Sequence, residues 1–161
     1  MNIKIDSELT FTRLQSINPV EIIEHMSDPR LEEHMPLLTF KWDTEAVTKF
    51  IAVKEAHWQR DGLGHWAILE NGSYVGWGGF QLEGDEWDFG LVLKPSSFGL
   101  GGRITKKALE FAKAYERIAF VTFLLPTSRT RTAALTKLGA TLVGEVKYRG
   151  ATFRKFRLII S

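Results

Sequence analysis

The chain contains no cysteine among its 161 residues, and that single absence excludes disulfides, thiolate zinc sites, iron–sulfur clusters and a cysteine nucleophile. Proline is scarce at five residues, and no repeat, low-complexity tract or linker-like run divides the chain. No window reaches the roughly 18 consecutive apolar residues of a membrane span. The opening MNIKIDSELTFTRL has neither the basic nor the apolar region of a signal peptide. A cytoplasmic location with no membrane partner is therefore expected. No sign of charge dominates either. Twenty-one Lys and Arg against 19 Asp and Glu leave a net +2, too little to argue for nucleic acid. With 44% apolar and 25% charged residues, residues 1–161 read as one domain, long enough to bury roughly 68–70% of its unfolded surface.

What is present is unevenly placed. From Lys94 onward, 14 Lys and Arg face only Glu110, Glu116 and Glu145, so the second half suits an anionic ligand. The first half supplies most of the acids and the early elements. Leu9 and Phe11 alternate with Thr10 and Thr12, which predicts a strand over Glu8 to Leu14. Asn18-Pro19 and Asp28-Pro29 each offer an N-cap followed by Pro at the first helical position, which predicts two short helices. Asp43 or Thr44 caps a longer helix with Val47, Phe50, Ile51 and Trp58 at helical spacing, closed near Gly62. Asn71-Gly72 between two alternating runs predicts a type I′ hairpin of His65 to Glu70 with Ser73 to Leu82. Glu83-Gly84-Asp85 turns the chain into a third strand, EWDFGLVL (Glu86 to Leu93).

Pro95 then stops the strand and the pattern changes. A helix is expected over Arg103 to Tyr115, a buried strand over Ile118 to Leu125, and a second helix over Ser128 to Leu138 closed by Gly139. Two strands follow, Thr141 to Lys147 and Thr152 to Ile160. The order is a mixed α/β arrangement in which only the crossover from Leu93 to Ile118 joins parallel strands. Between them SSFGLGG places Gly99, Gly101 and Gly102 at a strand-to-helix turn, where backbone N–H groups and the helix N-terminus favour a phosphate. Arg103, Lys106 and Lys107 follow in the first turns. The competing reading is a Gly-rich turn that packs the helix and binds nothing.

Other chemistries lack their residues. G-x-G-x-x-G fails at Ile104, and G-x-x-x-x-G-K-[ST] occurs nowhere, which excludes a dinucleotide fold and a P-loop. His25, His34, His57 and His65 are scattered without H-E-x-x-H, so no metal site is expected. There is no G-x-S-x-G elbow, and Ser96 and Ser97 have no evident His partner.

WAILENGSYVGWGGF, EWDFGLVL, SSFGLGG and TSRTRTAALTKLGA, in that order and spacing, resemble the GNAT superfamily of N-acetyltransferases, closest to its ribosomal-protein (RimJ/RimL-like) branch. The resemblance spans most of the chain. It implies an α/β (α+β) fold with a mixed, mostly antiparallel sheet of six to seven strands, helices on both faces and one splayed parallel strand pair. It implies acetyl-CoA as cofactor. The pyrophosphate would lie on backbone N–H groups of Phe98, Gly99, Leu100, Gly101, Gly102 and Arg103, and the pantetheine along Leu91, Val92 and Leu93. Ser128 replaces the Asn of the second motif and lies beside the cofactor. Ser96 replaces the leading Arg or Gln of the first, and Leu135 stands where many relatives carry a general-acid Tyr.

An amine acceptor must arrive neutral, so the reaction needs a proton acceptor. Asp88 takes the place where many members carry a Glu and is the expected base. Glu86, two residues earlier on the same face, is the second candidate, and the Ser128 hydroxyl is placed on the leaving-group side. His34, Phe40, Trp42, Trp77, Trp87 and Tyr148 are expected wall residues of the acceptor site, with Glu32 and Glu33 attracting its cation. The acceptor would be a small-molecule amine or a protein N-terminus, and the protein a monomer or homodimer. The competing class is an acyl-CoA-binding module without turnover, which Ser96, Ser128 and Leu135 make conceivable. KYRGATFRKFR near the C-terminus is basic but alternates like an edge strand, so no nucleic-acid partner is expected.

Overall fold

Asn71 and Gly72 adopt φ of 49° and 82°, the two left-handed positions of a type I′ turn, so β2 (His65–Glu70) folds directly onto β3 (Ser73–Glu83). The computed structural model describes residues 7–31, 41–127, 129 and 132–160. Around that hairpin they form a seven-stranded sheet of order β1-β2-β3-β4-β5-β7-β6. Its other strands are β1 (Leu9–Thr12), β4 (Glu86–Leu93), β5 (Phe120–Pro126), β6 (Thr141–Tyr148) and β7 (Ala151–Ile159). Every neighbouring pair is antiparallel except β4 and β5. The expected mixed sheet with one parallel pair is the observed one. Gly78 is needed for close approach of β3 to β4, because a Cβ there would collide with the Gly90 carbonyl oxygen.

The helices begin and end where local chemistry sets them. Asn18 accepts the Val20 N–H at 3.0 Å and Pro19 opens α1 (Pro19–Met26). Asp43 accepts the Ala46 N–H at 2.8 Å to open α2 (Thr44–Asp61), and Gly62 closes it at φ 75°. Among the strands, β1 stops at Thr12 rather than Leu14 and β5 begins at Phe120 rather than Ile118, and three helices also differ from the sequence reading. Asp28-Pro29 starts one 3-10 turn, Pro29–Leu31, and the continuation lies outside the described residues. The helix expected from Arg103 is α3 (Gly101–Ala114). It starts earlier because Pro95 sets up a helical turn over Pro95–Leu100 that the glycines continue in ordinary helical conformation. The helix expected from Ser128 is the shorter α4 (Ala133–Leu138). Arg129 and Thr132 stand outside it, and Ser128, Thr130 and Arg131 lie outside the described residues.

The sheet is covered on both faces. On one, α3 lays Ala108, Leu109 and Ala112 on Trp66, Phe80, Phe89, Val121, Phe123, Phe156 and Leu158. On the other, α1 and α2 cover Ala67, Tyr74 and Trp77 with Ile22, Met26 and Val47, joined by Leu14 and Ile17. Among the described residues the second covering is confined to the β2–β3 side, and the β4–β7 part of that face forms a cleft. Among the described residues no helix is long and apolar enough to cross a membrane.

Candidate active site

β4 pairs with β3 along its whole length, Glu86 to Leu93, but with β5 only at Trp87, Asp88 and Phe89. β5 continues against β7 as far as Pro126. Gly90 to Leu93 therefore part from β5. Their backbone donors and acceptors on that edge face no strand among the described residues, and such groups call for a partner. Leu91, Val92 and Leu93, expected along a pantetheine, lie on this parted edge.

The next segment is kept bare. A Cβ added at Gly99 or Gly102 would meet nothing within 4 Å, and α3 begins without a side-chain cap. Leu100 and Gly101 complete the passage into the helix, and Phe98 is 44% exposed beside them. Gly101 spends its N–H on the Phe98 carbonyl, and the start of a helix without a side-chain cap, behind side-chain-free residues, fits a pyrophosphate. Two of the flanking cations are directed elsewhere. Arg103 donates to the Ser7 hydroxyl at 2.9 Å and to the Ser7 carbonyl, and Lys107 donates to the Leu9 carbonyl at 2.6 Å. These two side chains tie α3 to Ser7 and to Leu9 of β1, which takes both from the phosphate role.

Where β4 and β5 still pair, their side chains on the open face form the floor of a cavity of about 1150 Å³. Asp88 stands there beside buried Thr122, whose hydroxyl donates to Asp88 Oδ1 at 2.9 Å. Burial pushes the Asp88 carboxyl up to about 7. The Thr122 bond opposes this, Glu83 and Glu86 reinforce it, and Lys155 offsets part of it. At neutral pH this carboxyl exchanges a proton readily, the property a general base needs. Glu86 shares the face but is committed, with Lys155 Nζ at 2.5 Å and Arg157 at 3.8 Å.

The wall is aromatic on one side. Trp42 and Trp77, both 7% exposed, flank Phe50 edge-on with ring centroids 5.1 and 5.0 Å from it. Trp77 Nε1 donates to Met26 Sδ at 3.3 Å. Tyr148, at the end of β6, lines the opposite rim with Arg149 stacked 5.3 Å from its ring. Trp87 does not join this wall. Strand alternation turns the neighbour of Asp88 to the other face, where Trp87 is 5% exposed, edge-on to Tyr115 at 6.5 Å and under Arg117. Leu135 packs against that same core. His34, Phe40, Glu32, Glu33 and Ser128 lie outside the described residues.

The cavity also holds residues that the sequence reading did not single out. Lys54 Nζ donates to His65 Nδ1 at 2.9 Å and to Gln81 Oε1 at 3.0 Å. Burial lowers the Lys54 ammonium to about 8 and holds the His65 imidazole well below its usual value, so His65 is neutral and accepts through Nδ1. A sequence signal for Lys54 existed: it falls three or four residues from Phe50, Ile51 and Trp58, a lysine within the apolar stripe of a helix. Thr122 had no local signal, because its role depends on the parallel register.

No protein-family model matches the chain, and no curated protein matches its sequence. Solved structures do match in fold. The ribosomal L7/L12 alpha-N-protein acetyltransferase RimL, solved with coenzyme A, superposes with a TM-score of 0.76 at 16% identity, covering 94% of this chain and 94% of that one. A GNAT-family acetyltransferase from Bacillus anthracis gives 0.73 at 15% identity, covering 97% and 98%. The spermidine N-acetyltransferase of Vibrio cholerae, in complex with CoA and spermine, gives 0.72 at 8% identity, covering 94% and 95%. The chain has the GNAT fold.

Proposed function

We propose that this protein moves an acetyl group from acetyl-CoA to a primary amine by direct attack within a ternary complex, and that it belongs with the RimJ/RimL-like acetyltransferases. The observation that carries the reading is the Asp88–Thr122 pair, set in the cavity floor where β4 parts from β5. Bound acetyl-CoA supplies a thioester whose carbonyl carbon is open to attack. The residues that would hold it are the parted edge at Leu91, Val92 and Leu93 and the bare turn from Phe98 to Arg103. Asp88 takes the proton of the incoming ammonium on a carboxylate that titrates near neutrality. Thr122 occupies Oδ1 and thereby fixes the orientation of the carboxyl. Trp42, Phe50 and Trp77 exclude water along one wall, which strengthens each polar contact inside.

The test is acetyl-CoA-dependent CoA release with a panel of amines, beside the thermal shift given by acetyl-CoA and by NADH. A shift for acetyl-CoA and not NADH, with turnover that Asp88→Asn abolishes while binding persists, supports the reading. Equal rates for Asp88→Asn and wild type remove Asp88 from its role. A second reading, acyl-CoA binding without turnover, draws on Leu135, which fills the general-acid position with a core side chain. A thermal shift with acetyl-CoA but no CoA release for any amine would favour it.

A further inference from the structure

The cavity's acids are already engaged by the protein. Glu86 is paired with Lys155 and Arg157, and Glu45 with Lys49 at 3.1 Å. Asp43 caps α2, Glu83 accepts from Gln81 Nε2 at 2.7 Å, and Asp88 is held by Thr122. Four of its lining cations, Lys41, Lys54, Lys147 and Arg149, take no part in these ion pairs. Neither Lys54 nor Arg149 has a carboxylate within ion-pair distance among the described residues.

Lys54 is half-buried, and its ammonium lies 4.9 Å from the Trp77 ring centroid and 5.6 Å from that of Phe50. Both polar partners, His65 Nδ1 and Gln81 Oε1, are neutral. Glu83, beyond ion-pair distance, is the stronger of the two charges acting on it and favours its ionisation, while Arg149, at φ 51° in the β6–β7 turn, opposes it more weakly. Among the described residues, this desolvated ammonium thus holds its charge against neutral partners, with no carboxylate in contact. A polycationic guest would add a third positive charge to this pair. An anion entering the cavity relieves it.

The register gives the spacing. Gln81 stands directly opposite Asp88 across β3 and β4, and side chains in such pairs start about 4.5–5.5 Å apart at Cβ. Lys54 sits one hydrogen bond from Gln81. One small molecule, or the first residues of a peptide, spans the interval from Lys54 to Asp88.

We propose that the acceptor is a primary amine that carries a carboxylate, with the carboxylate held by Lys54 and Arg149 while the amine faces Asp88. The amine part rests on the acyl-transfer reading above, and the anion part does not. Two sources share this chemistry, a free α-amino acid and a protein N-terminus with an acidic residue beside it.

Calorimetric titration of the CoA-saturated full chain tests the anion directly, with CoA release from acetyl-CoA measured in parallel. The probes are alanine, alanyl-aspartyl dipeptide amidated at its C-terminus, alaninamide and spermidine. At least tenfold tighter binding of a carboxylated probe than of alaninamide and spermidine is expected, collapsing to within about twofold in Lys54→Met and in Arg149→Ala. Preference for alanine assigns the α-carboxylate, and preference for the dipeptide amide assigns an acidic N-terminus. Arg149 is exposed in a turn, so Arg149→Ala decides the matter if Lys54→Met fails to fold. Alaninamide or spermidine binding as tightly as the carboxylated probes, no measurable binding of either carboxylated probe, or a preference that survives the substitutions overturns the proposal. Preferential binding without acetyl transfer leaves the carboxylate site standing and refutes the acyl-transfer reading; transfer without preference does the reverse.

Discussion

On β4, Trp87 and Phe89 point into the core under α3, while Glu86 and Asp88 point into the cleft, so one strand serves two environments at a spacing of one residue. The first environment is closed and apolar: Phe80 is fully buried between Trp66 and Phe89. The second is roofed by α1 and α2 at one end only, and there the same sheet carries Asp88, Gln81, Thr122 and Lys155. The difference separates stability from chemistry. Substitutions on the α3 face should act on folding, and substitutions on the cleft face on turnover, even at adjacent positions.

Asp88→Asn gives the sharpest test, because its two effects should differ in kind. Turnover should fall by about 10²–10⁴-fold, the usual contribution of a positioned base. Stability should move the other way. The carboxyl titrates at 3.8 when unfolded and about 7 when folded. The folded state thus binds this proton more tightly, so the contribution of the acid form is complete below pH 4 and lost as pH rises to 7. Asn undergoes no such loss. The variant should therefore gain on the wild type between pH 4 and 7, by about 2–4 kcal/mol, read from thermal midpoints across that range. A variant that loses both turnover and stability at pH 8 would make Asp88 a structural residue and erase the contrast between the faces.

Phe80→Ala probes the opposite face. It should lose about 3–5 kcal/mol in urea or thermal unfolding, through lost burial and the cavity left behind. Well below its midpoint the folded variant should keep turnover within about threefold of wild type. A rate loss as large as that of Asp88→Asn in a folded protein would show that the core positions the site more tightly than the comparison allows.

Thr122→Val tests the link between the two strands that meet at the site. Without the donor hydroxyl the carboxylate form of Asp88 loses its hydrogen bond, so its pKa moves further up. The rising limb of kcat/KM against pH should shift to higher pH, with a several-fold loss at pH 7 that recovers under alkaline conditions. A loss uniform across pH would mean that Thr122 acts through packing.

The two regions were also unequally legible in the sequence. Local chemistry set the Asn71-Gly72 hairpin, the Asn18 and Asp43 caps and the Gly62 stop, since each depends on residues within one turn. The phase of EWDFGLVL was readable too, and it argues against Trp87 in the cleft: a strand that aims Asp88 at the site must aim its neighbour away. Lys54 was legible as a lysine in an apolar helical stripe. Thr122 was not, because its contact with Asp88 exists only through the parallel register of β4 and β5. The destinations of Arg103 and Lys107 were hidden for the same reason, since Ser7 and Leu9 lie almost a hundred residues away in sequence. Long-range pairing decided what local pattern left open.

The smallest expected effect concerns a third region that belongs to neither face. Gly102 sits in the first turn of α3 without left-handed backbone, and a Cβ there meets nothing within 4 Å. For the ligand-free protein Gly102→Ala should therefore be harmless or stabilising by about 0.5–1 kcal/mol, because alanine surrenders less backbone entropy in a helix. For a pyrophosphate approaching the same N–H groups, the added methyl occupies the approach. The thermal midpoint should thus rise by a few degrees without ligand, and the further rise on adding acetyl-CoA should shrink. If the variant gains stability and keeps the full acetyl-CoA shift, the glycine is a feature of the turn alone, and the anion must reach the helix from a side that the methyl leaves open.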